Sequence, residues 1–190
     1  MLQMEGECGV EVGRLLTGAA AAIKRMRYCW LVTTAESWAV NARPMGWLPR
    51  ELDEDDWTIW FITDGRSRKA ADIRRAGEAT IIFQDVDTAF VTMVGPAMLC
   101  EEQSEVRRHW KKGYDTYFPT DEERAHAALI GVDVRSMELW IRGLTPEPFG
   151  MRPMRIERDE QGRWRVMLDR NQDVALWSRA SVRAGSVGTT

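Results

Sequence analysis

The sequence predicts a mainly β chain with flanking helices, an α+β arrangement in which antiparallel strands close into a barrel. Two observations carry this. Short runs rich in β-branched and aromatic residues recur along the chain, separated by turn residues, and the few helix-period segments sit between or beside them. At 190 residues and 44% hydrophobic content, one domain can bury a sizeable core without metals or disulfides. The expected division is a single domain over 1–170 with a C-terminal tail over 171–190.

Val12, Leu15, Leu16, Ala19, Ile23 and Met26 recur at three- and four-residue spacing, which predicts an amphipathic helix over 10–26. The runs 27–34 (RYCWLVTT) and 39–48 (AVNARPMGWL) read as a β-hairpin, followed by an acidic turn over 48–56 and a third strand over 57–63. Ser67 then caps a short helix that Gly77 closes. Two strands follow, 79–84 and 89–100, the second with a bulge or bend at Gly95-Pro96. Segments 103–112 and 121–129 read as helices, 130–142 returns to strand periodicity, and 154–158 with 163–168 forms a last hairpin. Residues 180–190 are small and polar and are expected to fray.

The formal net charge is -3, from 26 basic and 29 acidic residues spread along the chain. That distribution offers no face for nucleic acid or an anionic membrane. Cys8, Cys29 and Cys100 form neither a CxxC pair nor an extracellular framework, so a reducing, cytoplasmic setting is expected. The apolar run 15–23 is too short to span a bilayer. His109 and His126 lack ligand-like spacing to a cysteine or carboxylate, so no metal site is expected. No GxSxG, P-loop or GxGxxG occurs.

One junction remains chemically suggestive: Thr63-Asp64-Gly65-Arg66-Ser67-Arg68-Lys69, where a strand end passes through a glycine turn into a helix start. Backbone N–H groups and the positive end of the helix dipole converge there, and Ser67, Arg68 and Lys69 add a hydroxyl and two cations. A capped surface helix with a basic first turn would explain the same residues. Yet cations in a first turn oppose the dipole and ask for a compensating anion. Arg43, in mid-strand, needs a partner if it points inward, and barrel closure would bring it beside Lys69.

The runs RYCWLVTT, WFITDGRSRKAADI, ATIIFQD, AFVTMVGPA and MELWIRG, with Arg43-Pro44-Met45, together resemble the pyridoxamine 5′-phosphate oxidase-like superfamily, most nearly its general stress protein 26-like branch. The likeness spans residues 20–168 and is most specific at Phe61-Ile62-Thr63 and Ser67-Arg68-Lys69. It implies an FMN-binding split β-barrel working as a homodimer with flavin at the subunit interface, with FAD or a deazaflavin as less favoured occupants. By the same resemblance Arg43, Pro44, Met45, Gly46, Trp47 and Leu48 lie along the flavin, and Ile62 and Thr63 contact it. Arg68 and Lys69, beside Ser67, hold its phosphate, and Trp140 and Arg142 share the pocket, although Trp140 also suits a buried strand.

Phe90 stands where the oxidases place a glutamine from the neighbouring subunit. The oxidases' substrate-binding Arg-x-His pair has no counterpart in 145–153, where Arg152 alone supplies a charge. The implied function is an FMN-dependent oxidoreductase of small molecules. A flavin-binding stress protein without turnover is the alternative.

Overall fold

The computed structural model describes residues 2–37, 39–48 and 57–167. Of the acidic turn expected over 48–56 all but Leu48, and with it Leu168 of the last hairpin and the tail over 171–190, lie outside the described residues. The chain opens with helix α1 (Leu2–Lys24), then β1 (Tyr28–Thr34), β2 (Val40–Gly46), β3 (Thr58–Asp64), α2 (Arg68–Ala76), β4 (Glu78–Asp85) and β5 (Ala89–Cys100). It continues with α3 (Gln103–Arg108), a 3-10 turn (Lys112–Thr116), α4 (Asp121–Ala125), β6 (Ala127–Asp133), β7 (Ser136–Ile141), β8 (Met154–Arg158) and β9 (Trp164–Met167).

Every strand pairing is antiparallel: β2-β1-β4-β5 runs on through β7, β8 and β9, while β3 pairs with β6 and β6 with β5. The strands β2, β1, β4, β5, β6 and β3 therefore nearly close a barrel. Between β2 and β3 the ladder is reduced to one bridge, Leu48 to Trp60. That gap is the split, and the site lies along it.

The long strand β5 makes this closure possible. Ala89–Pro96 pairs with β4, and from Ala97 the strand pairs with β6 instead. The change falls at Gly95-Pro96, the bend that the sequence suggests. A Cβ on Gly95 would run into the backbone carbonyl of Asp133, so only glycine allows that approach.

Alternation decides the faces. Cys29 and Leu31 on β1, Ile81 and Phe83 on β4, Val91 and Met93 on β5, and Leu139 on β7 all face the core, against Leu15, Leu16, Ala19 and Ile23 of α1. Burial pushes the Cys29 thiol up to about 12, so this cysteine is an inert core residue.

Three sequence expectations are corrected. The helix expected over 121–129 stops at Ala125, and Ala127, Ala128 and Leu129 belong to β6. The strand expected over 130–142 is two strands, β6 and β7, and the helix expected over 103–112 ends at Arg108. The cause is that β6 is buried at nearly every position, so the period-2 signal vanishes and its alanines read as helix. A capping box at Thr120 and Glu123 marks where α4 starts. Helix α1 also begins earlier than expected, at Leu2.

Candidate functional site

A cavity of about 910 Å³ opens along the split. Its walls come from the end of α1 and the start of β1 (Lys24, Arg25, Arg27, Tyr28), from β2 and its extension (Pro44, Met45, Gly46, Trp47), and from β3 and α2 (Ile62, Thr63, Asp64, Lys69). Gly113, Tyr114, Tyr117, Phe118 and Glu123 close the far side. Trp47 is buried, donates its indole N–H to the Met26 carbonyl at 2.8 Å and sits edge-on to Phe83, which fixes the floor.

The strand-to-helix junction forms as the sequence predicts. Ser67 is the N-cap of α2, its hydroxyl accepting from the Ala70 N–H at 3.4 Å, and Gly77 ends the helix in the left-handed conformation. Thr63 is buried, and its hydroxyl lies 3.3 Å from that of Ser67. Asp64 lies on the cavity wall with its carboxylate taken by Arg66 in three side-chain hydrogen bonds, which hold it below the usual range. Lys69 is half-buried and, among the described residues, has no ion pair or hydrogen bond. Burial, followed by the charge of Arg43, pulls its pKa below the ordinary lysine value of 10.5.

Arg43 does stand beside Lys69, yet it is not part of the cavity wall. It faces inward on β2, donating to the Thr33 hydroxyl at 2.9 Å and lying 3.6 Å from the Asp72 carboxylate. Thr33 in turn donates to Asp72 at 2.7 Å and Asn41 donates to the same carboxylate oxygen at 3.2 Å. Burial of Asp72 raises its pKa, but hydrogen bonds from Thr33 and Asn41 and the charges of Arg43 and Arg75 outweigh it, so the carboxyl titrates below its ordinary value.

Other expected residues fall elsewhere. Leu48 is buried with Val106, Phe118, Ala127 and Leu129 and does not reach the cavity, and Arg68 is exposed on the outer side of α2. Phe90, Trp140 and Arg142 form a separate cluster on the outer face of the sheet. Phe90 pairs with Trp140 across β5 and β7 and stacks on Phe149 at 5.8 Å. Arg142 lies over the Phe149 ring at 4.7 Å and donates to the Asp87 carbonyl. The Trp140 indole N–H is buried without a partner among the described residues.

Sequence reading missed Thr33, Asn41 and Asp72, which are brought together only by the register of β1 against β2 and by α2 crossing them. It also missed Tyr28, Tyr114 and Tyr117. One signal was present: Asp72 lies three residues after Lys69 and so shares its helix face.

The family model described as pyridoxamine 5′-phosphate oxidase like matches residues 18–146, from within α1 to just beyond β7. The chain belongs to this family. No curated protein matches it.

Solved structures share the fold. A Clostridium acetobutylicum protein related to general stress protein 26 aligns with a TM-score of 0.64 at 14% identity, over 77% of this chain and 96% of that one. A pyridoxamine 5′-phosphate oxidase-related, FMN-binding protein from Nostoc punctiforme aligns at 0.55 and 20% identity, over 86% of this chain and 96% of that one. PhzG from Burkholderia lata, solved with tetrahydrophenazine-1-carboxylic acid, aligns at 0.58 and 15%, over 78% and 86%. These neighbours establish the split-barrel fold for a chain of this family. Among the described residues, no helix is long and apolar enough to cross a membrane.

Proposed function

We propose that the chain binds FMN along the split, as a homodimer, and serves as a flavin-dependent oxidoreductase acting on a small molecule. The observation that carries this reading is Lys69: a half-buried cation on the wall of a cavity large enough for a flavin, at a capped helix start and beside a second cation. It makes no ion pair or hydrogen bond among the described residues, and Asp64, the carboxylate whose charge acts on it, is taken up by Arg66. Such a charge is costly to hold without a counter-ion, and a phosphate supplies one. The family and the FMN-binding neighbour agree with that assignment.

In this reading Lys69 and the N-terminal amides of α2 hold the phosphate, with Ser67 and Thr63 hydroxyls beside them and Arg43 adding charge from behind. Arg68, exposed at the first helical position, reaches the phosphate only by extending around the helix start. Pro44, Met45, Gly46, Trp47 and Ile62 form the apolar bed for the ring system. A bound flavin supplies the hydride and electron transfer, while the chain orients it and limits its contact with water.

The outer sheet face supports the dimer. Trp30 is 44% exposed and lies next to Pro44 and Ile82 in the ladder, on the face that also carries Phe90 and Trp140. A second copy covering this face would place Phe90, Trp140 and Arg142 against the partner's flavin.

A second reading, a flavin-holding protein without turnover, has one observation in its favour. Both carboxylates on the cavity wall are already engaged, Asp64 with Arg66 and Glu123 in the Thr120 capping box, so neither stands free as a proton donor or acceptor. The test is to load the purified protein with FMN, measure stoichiometry by absorbance and add NADPH. One FMN per chain, reduced faster than free FMN, supports the oxidoreductase. Stoichiometric FMN reduced no faster than free flavin favours the holding protein, and no retained FMN rejects both.

A further inference from the structure

The buried carboxylate of Asp72 has no part in the cavity wall, yet two polar side chains, Thr33 and Asn41, and two cations, Arg43 and Arg75, are arranged around it. Its Oδ2 accepts from the Thr33 hydroxyl at 2.7 Å and from the Asn41 amide at 3.2 Å, and it lies 3.6 Å from the Arg43 guanidinium. A hydroxyl donates only once. Because Thr33 spends its proton on Asp72, its lone pairs are left for Arg43, which donates to it at 2.9 Å. Asp72 thus fixes both the charge and the hydrogen-bond direction that Arg43 meets.

This matters because Arg43 and Lys69 are like charges: Arg43 lies 3.6 Å from Asp72, which is one helical turn from Lys69 on α2, and its charge lowers the proton affinity of Lys69. Two such cations repel, and the unrestrained response is for the long arginine side chain to swing into solvent. We infer that Asp72 is a positioning residue for the anion site: through Thr33 it holds Arg43 next to Lys69, so that a phosphate meets two cations rather than one. The inference rests on the proposed flavin phosphate site.

Two effects of removing the Asp72 charge oppose each other. Loss of a negative charge near a phosphate favours the anion, whereas release of Arg43 removes a cation from it. Arg43 is held by Thr33 and Asp72, so a fall in the preference for a phosphate reports release of Arg43, and a rise reports relief from the carboxylate's repulsion.

The experiment measures FMN and riboflavin affinity by titration calorimetry for the wild type, Lys69→Ala, Asp72→Asn, Thr33→Val and Thr33→Ser. The ratio of the two affinities isolates the phosphate, because general damage to the fold weakens both flavins alike. The expected result is a fall in the FMN preference of about fivefold or more in Asp72→Asn and in Thr33→Val, with Thr33→Ser close to wild type. The double variant Asp72→Asn with Thr33→Val is expected to lose little beyond either single change, since both break one relay.

A ratio in Asp72→Asn that is unchanged or raised, while Lys69→Ala abolishes the preference, overturns the inference and leaves the flavin site standing. A wild type with no preference for FMN, or Lys69→Ala without effect on it, overturns the flavin phosphate site and the inference together. If Asp72→Asn does not fold, Thr33→Val against Thr33→Ser decides by the same ratio.

Discussion

Lys69 and Arg158 are both cations withdrawn from solvent, and they differ in what surrounds them. Arg158, on β8, donates to Asp133 at 3.2 Å and covers the Trp164 ring at 5.2 Å, with its side chain only 10% exposed. Around it the hairpin end is equally settled: Asp159 takes Arg163 and Arg165 and two backbone N–H groups of its turn. Lys69 has no such complement among the described residues and titrates below its ordinary value. A cation whose partners lie within the chain stabilises the fold, and one whose partner is missing marks where a ligand belongs.

The largest expected effect is on the settled side. Arg158→Ala leaves Asp133 facing Arg135 alone and uncovers Trp164, and it is expected to cost on the order of 3 kcal/mol of stability in urea unfolding without changing flavin affinity per folded chain. A loss under about 0.5 kcal/mol would place Arg158 with ordinary surface charges and erase the contrast.

Next comes Lys69→Ala, which should weaken FMN roughly ten- to a hundredfold, about 1.5–3 kcal/mol, while leaving the unfolding of the flavin-free protein unchanged or slightly improved. Destabilised flavin-free protein with undiminished FMN affinity would make Lys69 a structural cation like Arg158.

A smaller effect is expected from pH. The pKa of Lys69 in the folded chain is lowered, so holding it charged costs stability at neutral pH and the cost is relieved as pH rises through that pKa. Phosphate binding restores the charge, so FMN uptake takes up a proton in that range. The FMN preference over riboflavin should fade at a pH below 10.5, and should also weaken below about pH 6 as the flavin's own phosphate gains its second proton. A preference flat from neutral pH to 10.5 would remove Lys69 from the site.

The smallest effect concerns the outer face. Trp30→Lys is expected to shift the chain toward monomer in sedimentation at micromolar concentration, with little change in the unfolding of each chain, because Trp30 is nearly half exposed already. An unaltered protein that sediments as a clean monomer would contradict the dimer outright.

How far the sequence reveals all this depends on range along the chain. Features set within about ten residues were legible: the Ser67 and Gly77 caps, the bend at Gly95-Pro96, the β1–β2 hairpin, and the junction carrying Lys69. Features that need distant segments were not. Asp72 reads as an ordinary polar residue of an amphipathic helix until β1 and β2 place Thr33, Asn41 and Arg43 around it. The first three residues of β6, Ala127, Ala128 and Leu129, read as helix because burial on both faces removes alternation, the one signal that separates the two locally. Leu48 continues the run of β2 in sequence, but its bridge to Trp60 turns it toward Val106, Ala127 and Leu129, away from the cavity.

On the proposed function, Lys69, which makes no ion pair among the described residues, holds a flavin phosphate. Titration of the flavin-free protein with FMN and, separately, with riboflavin tests it most directly. The account predicts micromolar or tighter FMN binding at one per chain and at least tenfold weaker riboflavin binding, the worth of one charge-assisted contact. Equal affinity for the two flavins, or no binding of either, would contradict it.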